Sequence, residues 1–450
     1  MVGIARKWRK IVVDTGFSKI FQGMQNTLIP SSLTSQISFR ERFFAPIVEA
    51  LERLDVGREC MAISDANWFM IGCLRVVSQE TSGRGLLQRL CDLSIIEVNR
   101  QTFQESLKSP RRLRTAQAVN RDLLEQLEKT VPDPFSEIPS LRNFDLYAAD
   151  GHFHAHACHD QAIGGKKRPV EHFYSLNLRT NGLSHLTQAQ IGGTRKKEHD
   201  MHALKRLDID TLRQNAAVGR KVLYVYDRAC IDFPQWSKWK ESGLYFITKL
   251  RSDLKLTPIK GNPGFDPYDP INAGVISDEI VEDGSSSTIR RITYRCPESG
   301  DLLVFLTNVF SGIPAGVIAY LYKRRWGIEK IFDVVKNKYH EKKSWATSPI
   351  AKDNQAHFIA LHHNLLCLFE MQVNMADVEK EHKKRSVKRI VKLGDKLKKL
   401  NRTLSPLLTS ITYITQHSLK FIRWLRVSLE SNTPVTQAMG RLGLDLAATF

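Results

Sequence analysis

The apolar residues of this chain change period near residue 135, and that change limits the folds open to it more than any other feature. Before it, ERFFAPIVEALERL, NWFMIGCLRVV and AQAVNRDLLEQLEK repeat apolar side chains at spacings of three and four, as helices with one buried face do. Ser38, ahead of FRERFFAPIVEAL, suits an N-cap. VPDPFSEIP, residues 131–139, carries three prolines and ends the helical stretch. Strand patterns follow. LRNFDLYAAD ends in an acid before Gly151, HFHAHACHD alternates, and FYSLNLRT and LSHLTQAQI meet through Asn181-Gly182, a hairpin signal. EHDMHALKRLDIDTLRQNA reads as helix, KVLYVYDRA as a short buried strand, FPQWSKWKES as a short helix and LYFITKLR as another strand. Early strands followed by helix–strand repeats predict an α/β fold on a mixed five-stranded sheet.

Residues 252–305 break that rhythm. They are rich in Gly, Pro, Ser and Asp and hold two more strand candidates, STIRRITYRC and LLVFLTNV. The pattern predicts a β-rich insertion between the sheet and a helix over 314–338. The remainder reads as helical, with HFIALHHNLLCLFEMQV apolar enough to be buried.

The formal net charge is +19. It favours a polyanionic partner, nucleic acid first and an anionic membrane surface second. Residues 380–402 concentrate this charge, with eleven Lys or Arg against Glu381 and Asp395. GGKKRP (164–169) and TRKK (194–197) are smaller basic patches. Such runs are solvated faces in most proteins, but in a chain this basic, contact with a DNA backbone is the favoured reading. Seven scattered cysteines with no CxxC pair argue against a disulfide framework or a cysteine zinc knuckle. No run reaches the roughly 18 apolar residues that span a bilayer. The first residues lack the apolar core of a signal peptide, so a cytoplasmic location with no membrane partner is expected.

Within YKRRWGIEKIFDVVK, Tyr322, Arg325, Glu329 and Lys336 are spaced 3, 4 and 7 apart. At ~100° per residue they share an arc of about 60° on a helix. A phenol, a guanidinium, a carboxylate and an ammonium would then share one face. Leu321, Ile328, Phe332 and Val335 form an apolar stripe beside them. Asp150 and Asp227 each end a predicted strand, and neighbouring parallel strands would bring them to one rim of the sheet. Taken singly, such acids are more often turn or cap residues. With Glu329 they make a hard-oxygen set suited to a divalent cation and phosphate chemistry. Arg offers phosphate a planar fork, Lys a point charge and Tyr a hydroxyl donor.

Tyr-x2-Arg-x3-Glu-x6-Lys, matched without gaps at Tyr322, Arg325, Glu329 and Lys336, resembles the signature of the cut-and-paste DDE transposases of bacterial insertion sequences, the IS-four family. Asp150-Gly151 and Asp227-Arg228, each after a strand, resemble the family too, as does the order strand-Asp, strand-Asp, β-rich insertion, helix-Glu. The resemblance covers roughly residues 140–372. It implies an RNase H-like fold and Asp150, Asp227 and Glu329 as catalytic residues binding Mg²⁺, with Mn²⁺ as an alternative. It implies Tyr322, Arg325, Lys336 and Arg228 as DNA contacts. It further implies cleavage at the element's terminal inverted repeats, 3′-hydroxyl strand transfer into target DNA, a synaptic homodimer and a bacterial protein on the nucleoid when bound to DNA. The organisation expected is a helical DNA-binding region over 1–135, a catalytic domain over 140–350 and a helical basic region over 351–450. Two other functions fit the same residues: a domesticated DNA-binding protein without the reaction, and a metal-dependent DNA nuclease without strand transfer.

Some positions depart from the family. His152 stands where Thr or Ser is usual, and Ala229-Cys230 where Gly and an aromatic are common. No Trp lies between 240 and 325 to stack a displaced base; the equivalent place falls near Leu303, with Tyr294 or Phe305 as substitutes. A hairpin intermediate therefore stays open. His152, His154, His156 and His159, with Cys158, admit three readings: a zinc site, solvated or phosphate-facing histidines, or support beside the metal site. Three same-face strand residues ~6.5–7 Å apart are too far to share one ion without a bend. Trp236, Trp239 and Trp326 suit core or rim packing, and Trp326 is placed to brace Arg325.

Overall fold

The computed structural model describes residues 37–447 except 60–61, 81, 163–164, 168, 190–203, 215, 228–230, 252–253, 284–286, 373–375 and 410–418. Arg228, Ala229, Cys230 and the basic TRKK segment lie outside the described residues. Five helices open the described chain: α1 (Phe39–Arg53), α2 (Asp65–Val77), α3 (Gly83–Asp92), α4 (Arg100–Ser106) and α5 (Pro110–Thr130). Each begins on a side-chain cap, at Ser38, Ser64, Ser82, Asn99 and Ser109 in turn. These oxygens accept from N–H groups that have no partner inside the helix. Ser38 and Glu41 complete a reciprocal capping box.

The strands are β1 (Phe144–His154), β2 (Val170–Asn177), β3 (Leu183–Gln188), β4 (Lys221–Val225), β5 (Leu244–Lys249), β6 (Thr257–Gly261), β7 (Val275–Glu282), β8 (Thr288–Arg295) and β9 (Leu302–Thr307). They form one mixed sheet in the order β3-β2-β1-β4-β5-β9-β8-β7-β6. β1, β4 and β5 run parallel, and every other pairing is antiparallel. The five strands expected from the sequence are the first five in this order, and the sheet has nine. The β-rich insertion extends the sheet, because β9 pairs with β5 from Ile247↔Thr307 to Lys249↔Phe305. That pairing covers what would otherwise be an open strand edge. Arg290 anchors the insertion: it grips Asp278 through two nitrogens at 2.8 and 2.7 Å and donates to the Val309 and Ile313 carbonyls, all buried.

Two local expectations change. Asp150 does not end its strand, because β1 runs four residues further, pairing Gly151↔Phe173 through His154↔Val170 with β2. LRNFDLYAAD and HFHA are thus one strand. The β2–β3 connection spans 178–182, longer than a two-residue turn. Asn177 Oδ1 accepts from the Arg179 and Thr180 backbones, and Asn181 takes the left-handed conformation at φ 62°.

Alternation along the strands divides the core. Leu146, Ala148, Leu223, Val225 and Ile247 face the helical side, with α1 to α5 and the later helices α8 (Ala315–Arg324), α9 (Trp326–Asp333), α10 (Pro349–Gln372) and α12 (Leu419–Glu430). Tyr147, Ala149, Val222, Tyr224, Leu244 and Phe246 face the other side, under α6 (Ile209–Arg213) and α7 (Phe233–Glu241), with Trp236 and Trp239 buried there. Helix α10 is largely buried, as its sequence predicts, and a side chain at Gly72 would come within 2.1 Å of its Phe358. The chain ends in α11 (Ala376–Lys399), α12 and α13 (Val435–Ala447). No described helix is long and apolar enough to cross a membrane.

Candidate active site

Ala148 and Val225 are partners in the parallel β1–β4 ladder. Counting on two residues from each brings Asp150 level with Asp227. Both have the parity of Leu146, Ala148, Leu223 and Val225, so both belong to the helical face of the sheet. Helix α9, which carries Glu329, packs on that face against β1. Strand register and helix docking therefore bring the three acids to one rim, at the carboxyl ends of the parallel strands.

The helix expected over 314–338 is not uniform. It tightens at Arg325, where the Arg325 N–H donates to the Tyr322 carbonyl and the Ile328 N–H to that of Arg325, three residues back in each case. It then widens to a π-turn over Val334–Lys338. Such irregularities recur at functional sites. The apolar stripe of Leu321, Ile328, Phe332 and Val335 is buried as predicted.

Arg325 is only 4% exposed, and its guanidinium lies 2.6 Å from Glu329 Oε1 and 3.7 Å from Asp150 Oδ2. It also sits 5.4 Å above the Tyr322 ring, a cation–π contact. Tyr322 is buried against Phe305, with ring centres 4.7 Å apart. Phe305 is thus interior and is not open to a displaced base, contrary to the sequence expectation. Burial pushes the Asp150 carboxyl up to about 6, against the pull of Arg325 and a 2.9 Å hydrogen bond from the Gly151 N–H. Nearby Glu329 and Asp227 push it the same way. The Asp227 carbonyl accepts from Thr248 Oγ1 at 2.9 Å. Lys336 is exposed on the π-turn and adds to the burial that pushes His152 down to about 4. Trp326 is 55% exposed, outside the core.

Three carboxylates beside a buried fork suit a hard divalent cation by donor chemistry. Their oxygens are not drawn into one tight shell, however. Among the described residues, the His/Cys/Asp/Glu atoms lying within 4.8 Å of one another are those of His172, His185 and Asp353.

Gly151 is fixed by space. A Cβ there would lie 2.4 Å from Glu171 Oε1, because the buried Glu171 side chain crosses from β2 beneath it. His152 and His154 are buried, correcting the reading of solvated histidines. His152 stacks on Phe332 at 4.8 Å, and the rings of His154 and His172 follow at 4.9 and 5.5 Å. His159 and Cys158 are exposed at the strand's far end and join no metal cluster among the described residues.

Residues 145–365 match the family described as Transposase DDE domain. A Sinorhizobium fredii (strain NBRC 101917 / NGR234) protein named "Putative transposase y4zB" is 28% identical over 154 residues, 30% of this chain and 41% of that protein. The chain thus matches about two fifths of that relative's length. The cryo-EM structure of a piggyBac transposase synaptic complex with hairpin DNA aligns over 91% of this chain and 81% of its own, at 13% identity and a TM-score of 0.34. That likeness is too loose to carry a structural argument. Asp150, Asp227, Arg325 and Glu329 all fall within 145–365, the part of this chain that matches a transposase DDE domain.

Proposed function

We propose that this chain is a cut-and-paste DNA transposase of the IS-four kind, with a catalytic unit of RNase H-like fold. Its substrates are double-stranded terminal inverted repeats and target DNA, held by a synaptic homodimer. The observation that carries the reading is the meeting of Asp150, Asp227 and Glu329 around the buried Arg325 fork, on one face at the ends of parallel strands. The sheet order β3-β2-β1-β4-β5, with three antiparallel strands leading into a parallel trio, supports the RNase H-like assignment.

Asp150, Asp227 and Glu329 are the residues that would hold Mg²⁺ or Mn²⁺. When bound, the ion supplies Lewis-acid polarisation of the scissile phosphate and activation of the attacking oxygen. Arg325 presents a planar fork that grips phosphate oxygens in pairs. Tyr322, itself packed on Phe305, holds that fork from below and so acts by positioning Arg325. Lys336, exposed on the π-turn, contacts the DNA backbone as a point charge. Arg228 is assigned to DNA through the sequence resemblance alone. The exposed cations of α11 extend the same basic surface: Arg389 lies close enough to lower the Lys330 ammonium of α9 after burial and Arg324.

The test is an end-cleavage assay with purified full-length protein, DNA carrying the inverted repeats that flank the coding region, and a target plasmid. Mg²⁺- or Mn²⁺-dependent release of 3′-hydroxyl ends and their joining to the plasmid is expected. Cleavage without joining would identify a nuclease instead, and end binding without cleavage a domesticated DNA-binding protein.

A further inference from the structure

We propose that His172, His185 and Asp353 form a second cation site, of the zinc class, that ties β2 and β3 to helix α10. His172 lies on β2 and His185 on β3, beyond the 178–182 connection, while Asp353 lies in the first turns of α10. His172 Nδ1 is 3.1 Å from His185 Nε2, and Asp353 Oδ1 is 4.0 and 3.9 Å from the two nitrogens. A point near the plane of this triangle lies ~2.1 Å from all three atoms, the reach of zinc to imidazole nitrogen and carboxylate oxygen. Tetrahedral ligands at that reach stand ~3.4 Å apart and adjacent octahedral ligands ~3.0 Å. The 3.9 and 4.0 Å separations are wider than either value and the 3.1 Å separation lies between them, so a four-coordinate ion requires the Asp353 carboxylate to close on the two rings by about 0.5 Å. Two imidazoles and one carboxylate leave a fourth position for water, and Asp353, with a side chain 27% exposed, marks the solvent side.

The alternative is a plain N–H···N hydrogen bond between the two rings. It accounts for the 3.1 Å approach but not for Asp353. Among the described residues, the buried Asp353 Oδ1 has no hydrogen-bond donor, although the side chain reaches toward both rings. A buried carboxylate oxygen left so is costly unless a cation completes it. His185 also hydrogen-bonds the Thr187 backbone. Metal-bound imidazoles are commonly oriented in this way. The donors are two nitrogens and one oxygen, softer than the all-carboxylate set of Asp150, Asp227 and Glu329, so the two sites select different ions.

The test uses Co²⁺ as a spectroscopic probe on chelator-stripped, full-length protein. One Co²⁺ per chain should bind with the intense visible bands of a four-coordinate ion, and Zn²⁺, not Mg²⁺, should displace it. Asp353→Asn and His185→Gln should each weaken binding at least about tenfold, and Glu329→Gln should leave the bands unchanged. Absence of four-coordinate bands in the wild-type chain would overturn the proposal whatever the variants do. So would bands that survive Asp353→Asn at full affinity, or that disappear in Glu329→Gln.

Discussion

Arg325 lies 2.6 Å from Glu329, one helical turn further on, and the pair closes over Asp150. The guanidinium is thus the countercharge of the candidate site as well as its proposed phosphate fork. Removing it leaves Asp150 buried beside two like charges. Arg325→Ala should cost roughly 1–3 kcal/mol at pH 7, less than a fully buried pair because the Glu329 side chain is one-third exposed. Arg325→Lys should recover most of that stability and little of the activity, since an ammonium restores the charge without the fork. Urea unfolding beside the cleavage assay separates the two effects. Equal recovery of both would remove the fork from the mechanism.

Five histidines with shielded side chains predict acid sensitivity. Burial pushes His152 and His357 down to about 4 and holds His154, His172 and His185 well below their ordinary value; Lys336 adds to the effect at His152. Each stays neutral in the fold and takes up a proton on unfolding, so each costs stability as pH falls below 6.5. The slope is about 1.4 kcal/mol per pH unit for each such group. Asp150 and Asp353, raised to about 6, and Glu341, raised to about 7, act in the opposite direction by binding protons in the folded state. In the metal-free chain, five histidines against these three carboxylates and Glu128, which burial also raises, leave a net loss between pH 6 and 4. Denaturant midpoints across that range measure it, and His154→Gln should flatten the slope.

Gly151 has a spatial role beside Asp150. Gly151→Ala would drive a methyl into Glu171 Oε1 at 2.4 Å and should cost about 1–3 kcal/mol. Glu171→Ala in the same chain should recover part of that loss, a coupling of about 1 kcal/mol or more in a double-mutant cycle. Strict additivity of the melting shifts would contradict the packing argument.

Lys388, Arg389 and Lys392 are exposed on α11. If they touch DNA phosphates, changing all three to Gln should weaken binding to any duplex. The slope of log affinity against log salt should then fall by roughly one for each phosphate no longer neutralised. Fluorescence anisotropy at several salt concentrations reads this directly. An unchanged slope would make α11 a solvated face.

The acids were legible because they obey local rules. Apolar runs marked the strands of Asp150 and Asp227, neighbouring parallel strands bring such acids to one rim, and a helical stripe marked the helix of Glu329. Long-range partnerships were not legible. Nothing within 252–305 announces that β9 will pair with β5. The continuation of β1 past Asp150 depends on β2 accepting HFHA as a partner. Asp353 is far from His172 and His185 in sequence, and no local spacing links them. A signal did exist for the two histidines: counting back from Asn181-Gly182 to His172 and on to His185 places them on adjacent strands. Burial of Tyr322 and Phe305 was hidden for a similar reason, because a helix face reads as exposed until the strand it covers is known.

The most direct measurement compares wild type with Glu329→Gln in the metal-dependent end-cleavage assay, with DNA binding measured on the same preparations. The change keeps side-chain size and removes one charge from a partly exposed position. DNA affinity should stay within about twofold, while cleavage should fall by roughly a thousandfold or more, as loss of a group that stabilises the transition state does. Cleavage at the wild-type rate by a folded, DNA-binding Glu329→Gln protein would contradict the assignment of Asp150, Asp227 and Glu329 as the reaction centre.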